Sequence, residues 1–165
     1  MPEPSSDLLT VARELADGGT AGARLKRAVS TAYYAVFHKI SYAAAQRFLW
    51  AGREATGAYA ILYRSFDHRH LKTVCMALQA STLKEKFRVQ LRRGTVSQDI
   101  RDFATAFPKL QEARHLADYD PAVDFPPDEV ASLIDSADAA IAAFDRAAPE
   151  EQIDVLALMM VRARD

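Results

Sequence analysis

The feature that most limits this chain is the apolar rhythm of residues 25–44. Leu25, Val29, Ala32 with Tyr33, Val36, Ile40 and Ala43 with Ala44 step by three and four. That is the spacing of one face of an α-helix; a half-buried strand would repeat every second residue. The pattern predicts a helix opened by Thr20 or Gly22 and running to about Trp50. A helix of that length is held mainly by the apolar face it buries, so it commits the chain to packing helix on helix.

The punctuation elsewhere agrees. Residues 7–16 read as a first helix, capped by Ser5 or Ser6 and closed by Gly18 and Gly19. Gly52 and Gly57 bracket a break, after which a third helix is expected from Ala58 through Leu62, Phe66 and His70 to about Leu78. Residues 81–99 suggest a helical turn or two and a loop ending at Gly94. Ser97 or Asp99 then caps a helix over 100–118, with Pro108 expected to kink or restart it, because proline removes a backbone donor and crowds the preceding turn. "DFPPDEV" is a helix start, with prolines in the first positions and acids over the positive end of the dipole; Val130, Leu133 with Ile134, Ala137, Ile141 and Phe144 follow on one stripe. Pro149, Glu150 and Glu151 open a last helix to about Arg162. No strand pattern or repeat competes. The expected fold class is all-α, an up-and-down bundle of about five or six helices in one domain.

Composition excludes several alternatives. At 165 residues, half apolar and 26% charged, the chain has enough for one core and too little for two. Its net charge of −1 supplies no global field for nucleic acid, so any such binding needs a local basic patch. Cys75 stands alone, which rules out an internal disulfide and a cysteine zinc cluster. The N-terminus lacks a signal-peptide layout, and the longest strongly apolar run, "VLALMMV", is far short of the ~20 residues a bilayer requires. A soluble, cytoplasmic protein is expected.

Some polar residues break the amphipathic pattern. Arg27, Thr31, Tyr34 and His38 fall on one narrow helical stripe beside the apolar face. An arginine, a phenol and an imidazole in line can bind a phosphate and move protons; the same pattern also describes bundle-flank residues with their polar tips in water. Further on, Phe103, Phe107, Leu110 and Arg114 recur at helical spacing, which turns Arg114 toward the apolar side. A charge there needs a partner. Asp118, one turn on, is the local one, and Tyr34 or His38 on a neighbouring helix would complete a network. Such a network is either a clamp that sets helix packing or a phosphate-binding arginine held ready. His115 turns about 100° from Arg114 and reads as a surface residue, while Asp120 shapes the turn before Pro121. His68 and His70 do not share a helical face and no HExxH pattern is present, so no metal site is expected. Lys84, Lys86, Arg88, Arg92 and Arg93 form a basic cluster, able to follow a nucleic-acid backbone or to serve as a solvated face. "IDVLALMMVRAR" is apolar around most of its circumference, so the last helix either fills a groove or docks on another chain. No glycine-rich phosphate loop, GxSxG elbow or catalytic carboxylate pair appears, and no cofactor is expected.

Three segments in order carry a resemblance. "LKRAVSTAYYAVFHKI" (25–40), "EARHLADYDP" (112–121) and "PPDEVASLIDSADAAIAAF" (126–144) resemble the small single-domain prokaryotic HEPN proteins, over residues 20–146, with 149–163 as an extra C-terminal helix. The resemblance implies a dimerising helical bundle whose polar residues face a shared cleft. It implies metal-independent ribonuclease activity in toxin–antitoxin, defence or RNA-processing systems, in some cases beside a separate nucleotidyltransferase-type antitoxin. The family motif pairs an arginine with a histidine four to six residues on. Arg114 matches the arginine, whereas the histidine positions hold Tyr119, Asp120 and Pro121. The motif is therefore degenerate, and the site the resemblance implies is Arg114 and Asp118 with Tyr34 and His38 from the second helix. Arg27, Lys84, Lys86, Arg88, Arg92 and Arg93 are the expected nucleic-acid contacts.

Overall fold

Eight helices and no strand are present among the described residues, 3–49 and 56–161 of a computed structural model. They are α1 (Pro4–Asp17), α2 (Gly22–Phe48), α3 (Gly57–Tyr63), α4 (His68–Leu78), α5 (Glu85–Leu91), α6 (Gln98–Tyr119), α7 (Pro127–Arg146) and α8 (Pro149–Met160). Three expected boundary markers, Trp50, Gly52 and Arg162, lie outside the described residues.

The long helix forms as its periodicity requires. Leu25, Val29, Ala32, Tyr33, Val36, Ile40 and Ala44 are all buried, and α2 packs on α1, α6 and α7. The other helices except α3 add side chains to the same buried cluster, from Leu9 of α1 to Met159 of α8. The stripe on α7 is also seated, with Val130, Ile134, Ala137, Ile141 and Phe144 buried. α8 fills a groove against α2, α4 and α5, burying Val155, Leu156, Leu158 and Met159. No helix among the described residues is long and apolar enough to cross a membrane.

Three local details differ from the sequence expectation, each for a physical reason. α1 starts at Pro4 and not at Asp7, with Glu3 at the cap. Proline suits the first helical position because its missing N–H has no partner there anyway. Ser5, expected as a cap, is buried inside the helix and donates to Glu3 Oε1 at 2.5 Å. The single helix expected over 58–78 is two, α3 and α4. Asp67 separates them by accepting the His70 N–H at 2.8 Å, so its side chain starts a new helix where the backbone would otherwise continue the old one.

Pro108 neither ends nor restarts its helix: α6 runs from Gln98 to Tyr119 with the proline inside. The ring deprives the Ala104 carbonyl, four residues back, of its usual donor. Gln79, just past the end of α4, supplies one, its Nε2 standing 2.9 Å from that oxygen. Buried carbonyls must be paired, so this contact fastens α4 to α6 at the proline.

A buried cation fastens α1 and α7 to α2. Lys39 Nζ lies 2.7 Å from both Glu3 Oε1 and Asp145 Oδ1, with its side chain 7% exposed. Burial works against the charge, but the two carboxylates outweigh it and raise the Lys39 pKa. At the other end, Glu151, Gln152 and Asp154 tie α8 in place. Arg93 bridges Glu151 at 3.0 Å and Asp154 at 2.5 Å. Gln152 Nε2 donates to the Phe144 carbonyl at 2.8 Å, closing the C-terminal end of α7.

Candidate functional site: the cleft around Arg114

Arg114 projects from α6 toward α2 with its side chain 18% exposed. Its Nη2 donates to Tyr34 Oη at 2.8 Å. Its Nε lies 2.8 Å from Asp118 Oδ2, a charge contact in which the N–H is not aimed along the line of approach. Ser30 Oγ donates a short hydrogen bond to the other oxygen of Asp118. The guanidinium carbon also stands 5.4 Å from the ring centres of Tyr34 and Tyr119 and 6.0 Å from that of Tyr33, the range of cation–π attraction. Burial works against the charge, and the Tyr34 hydrogen bond together with the charges around it outweighs burial, so the Arg114 pKa is raised.

Two of the expected site residues thus meet Arg114: Asp118 through charge and Tyr34 through its phenol. His38 does not. Its Nδ1 shares a hydrogen bond of 2.6 Å with Tyr63 Oη of α3, and its ring is turned to that helix. The expected reach of His38 to Arg114 is corrected by this contact. Burial holds the His38 pKa below its ordinary value and pushes Tyr63 up to about 12. Arg27 is exposed one turn before Thr31, whose hydroxyl donates to the Arg27 carbonyl.

Sequence reasoning missed Ser30, Tyr33 and, most consequentially, His68. The sequence carries Ser30 one turn before Tyr34, on the same face; nothing in it says that this face meets Asp118. His68 opens α4, and its Nδ1 lies 2.5 Å from Tyr33 Oη. Its ring stacks on Phe37 with centres 4.2 Å apart. Burial, and then the positive charge of Arg114, lower its pKa, against an opposing pull from Asp67. Burial raises the Tyr33 pKa, so its phenol stays protonated. The signal for His68 was the capping Asp67, which sets where α4 starts and hence which way its first residues face.

Two adjoining hollows open between α4 and α6. One, of about 520 Å³, is lined by Asp67, His68, Arg69, His70, Thr73 and Gln111. The other, of about 300 Å³, is lined by Arg69, Lys72, Gln111, Glu112, Arg114 and His115. Arg69 and Gln111 belong to both, so the hollow at His68 adjoins the hollow at Arg114. Within it Lys72 pairs with Glu112 at 3.0 Å. His70 is taken by the Leu158 carbonyl at 3.1 Å. His115 is exposed, as its helical phase predicts, with its ring 5.1 Å from that of Tyr119. Asp120 shapes its turn by accepting the Ala122 N–H at 2.9 Å.

The basic cluster divides. Lys84, Lys86 and Arg92 are exposed along and beside α5, and Arg88, also exposed, pairs with Glu85. Arg93 is turned onto the carboxylates of α8 and serves as a helix clamp. α5 packs chiefly on α8, apart from the α2–α6 contact that holds Arg114. Among the described residues no group of three His, Cys, Asp or Glu side chains is placed to hold a metal ion. Burial raises the pKa of the Cys75 thiol, which keeps it protonated and a poor nucleophile.

Chemically, the cleft offers a fixed guanidinium for an anion, further positive charge from Arg69 and Lys72, and a half-buried imidazole. No family model matches the chain, and neither a curated protein nor a solved structure matches it.

Proposed function

We propose that this chain is a HEPN-like, RNA- or nucleotide-associated protein of the cytoplasm whose Arg114 cleft receives a phosphate group, with metal-independent ribonuclease activity on a phosphodiester. The observation that carries the reading is the combination around Arg114: a guanidinium oriented by Tyr34 and Asp118, at the wall of a cleft that also presents Arg69, Lys72 and a histidine. Planar guanidinium groups suit phosphate because two parallel N–H donors match two phosphate oxygens. The exposed Lys84, Lys86, Arg88 and Arg92 would add contacts to the nucleic-acid backbone outside the cleft. In this reading the protein works as a homodimer in a two-component toxin–antitoxin or defence setting, beside a nucleotidyltransferase-type antitoxin.

The test is cleavage of mixed-sequence RNA by the purified protein in the presence of EDTA. Cleavage is expected, and Arg114→Ala is expected to abolish it. No cleavage at high protein concentration, or cleavage untouched by Arg114→Ala, overturns the ribonuclease reading.

One observation favours a second reading, a non-catalytic interaction protein with a structural Arg114–Asp118 network. The Arg114 side chain is only 18% exposed and meets a carboxylate, a phenol and three aromatic faces of its own chain. That reading predicts that Arg114→Ala lowers the melting temperature and leaves RNA binding unchanged.

A further inference from the structure

A further hollow, of about 530 Å³, opens between α4, α6 and α7, and its chemistry differs from that of the two beside Arg114. Met76, Pro108, Ala113, Leu116, Phe125 and Leu133 make its apolar part. Its volume falls within the roughly 300–1,000 Å³ of small-ligand sites. Met76 is 60% exposed, on a helix that buries its other large apolar residues, Leu71, Val74 and Leu78. An apolar wall left in water gains free energy when another apolar group covers it.

The hollow is not isolated. Lys72 and Glu112 line both it and the hollow at Arg114, so the two adjoin. Lys72 and Glu112 pair at 3.0 Å, which neutralises the carboxylate on the shared wall. Along α4 the lining changes from Arg69 and Lys72, beside Arg114, to Met76 and then Gln79, beside Pro108. Lys72 and Met76 are one turn apart, roughly 6 Å at a rise of 1.5 Å per residue, a gap that one ribose bridges. Gln79 commits its Nε2 to the Ala104 carbonyl at 2.9 Å, so the amide is held with its oxygen as the remaining group, an acceptor.

We infer that this hollow is a nucleobase subsite: it takes the base of a nucleotide whose phosphate lies at Arg114. The inference rests on the phosphate reading above and names the part of the ligand that the reading leaves open. A base is apolar on its faces and polar at its edge, which suits apolar walls with an amide acceptor at one end. The Met76 thioether is polarisable and favours contact with an aromatic ring, and stacking of this kind tolerates any base. Adenine is the natural probe, because its amino group can donate to Gln79 Oε1.

The test is methyl NMR of the full chain, titrated with AMP and separately with ribose 5-phosphate. AMP should shift the Met76 and Leu133 methyls and bind roughly tenfold more tightly than ribose 5-phosphate, which lacks the base. Met76→Gln should bring AMP down toward ribose 5-phosphate, and Arg114→Ala should weaken both ligands. Equal affinities for the two, with the methyls unmoved and both ligands weakened by Arg114→Ala, overturn the base subsite and leave the phosphate reading standing. Methyls that move with protein concentration and not with AMP give the hollow to a second copy of the chain, and also overturn it. If neither ligand binds, or binding ignores Arg114→Ala, both readings fall.

Discussion

The protein encloses two cations against α2, and they are satisfied in opposite ways. Lys39 has two carboxylates at 2.7 Å, drawn from the start of α1 and from α7, for one positive charge. Arg114 has one carboxylate, on its own helix, and otherwise neutral partners: a phenol and three aromatic faces. Arg69 and Lys72 stand beside it, with only Glu112 added on the negative side of that hollow. A cation matched by more than its own charge in carboxylates is a fastening. Arg114 is matched by one carboxylate and not overmatched, and its neutral partners orient the guanidinium without adding to that neutralisation. On the function proposed above, the difference would separate a structural charge from a binding one within a single fold.

The comparison can be broken most forcefully at Lys39. Lys39→Ala leaves Glu3 and Asp145 facing each other without their cation and should cost about 3 kcal/mol, at the low end for breaking a buried pair because both acids can rehydrate. Chemical denaturation reads this, and a loss below about 0.5 kcal/mol, the scale of an ordinary surface substitution, would remove the fastening argument. RNA affinity should not change.

Arg114→Lys should do the reverse. Charge is kept, but the planar fork that meets Tyr34 and the stacking on the tyrosines are lost. Stability should fall by about 1 kcal/mol, and RNA binding at fixed salt should weaken by roughly tenfold. Equal losses at Lys39 and Arg114 in stability, with none in binding, would make the two sites alike.

A third test uses pH. Burial holds His38 and His68 below the ordinary 6.5. As pH falls past that value the unfolded chain takes up protons that the folded chain refuses, so stability present above 6.5 declines on acidification. Glu3 is the second limb. Burial works against its ionisation, but Lys39 and Ser5 outweigh burial and hold it below 4.5, so its contribution is present above 4.5 and lost as pH falls further. Melting temperature against pH should therefore drop in two stages. His68→Gln should shrink the first and Lys39→Ala the second.

The smallest effect is expected at Asp118→Asn. The amide keeps an oxygen for Ser30 and removes the one negative charge in contact with Arg114, so stability should shift by about 1 kcal/mol or less. RNA should bind more tightly, with a steeper salt dependence. Weaker binding would mean that Asp118 orients the guanidinium more than it neutralises it.

Much of the framework was legible because helices announce themselves locally. The three-and-four rhythm of α2, the prolines and acids opening α7 and α8, and the cap at Ser97 each act within a few residues of where they appear. The pairing of Arg114 with Asp118 was legible for the same reason, being one helical turn. The division at Asp67 was written in the sequence as a capping residue, but apolar spacing across Leu62 and Phe66 spoke for continuity, and only the competition between cap and backbone resolves it. That α6 does not restart at Pro108 was not legible, because the donor that serves the Ala104 carbonyl, Gln79, comes from just past the end of α4.

Sequence by itself determined an all-helical chain, the faces its helices bury, and an arginine turned inward with an acid beside it. Only tertiary structure decided that His38 goes to Tyr63 while His68 comes to the cleft, that Arg93 is a clamp, and that Lys39 is sealed by acids more than thirty and a hundred residues away. The reason is one of range. Helix phase is set by neighbours within a turn or two, whereas the partner of a side chain at the bundle surface depends on which helix lies opposite, and on where that helix begins.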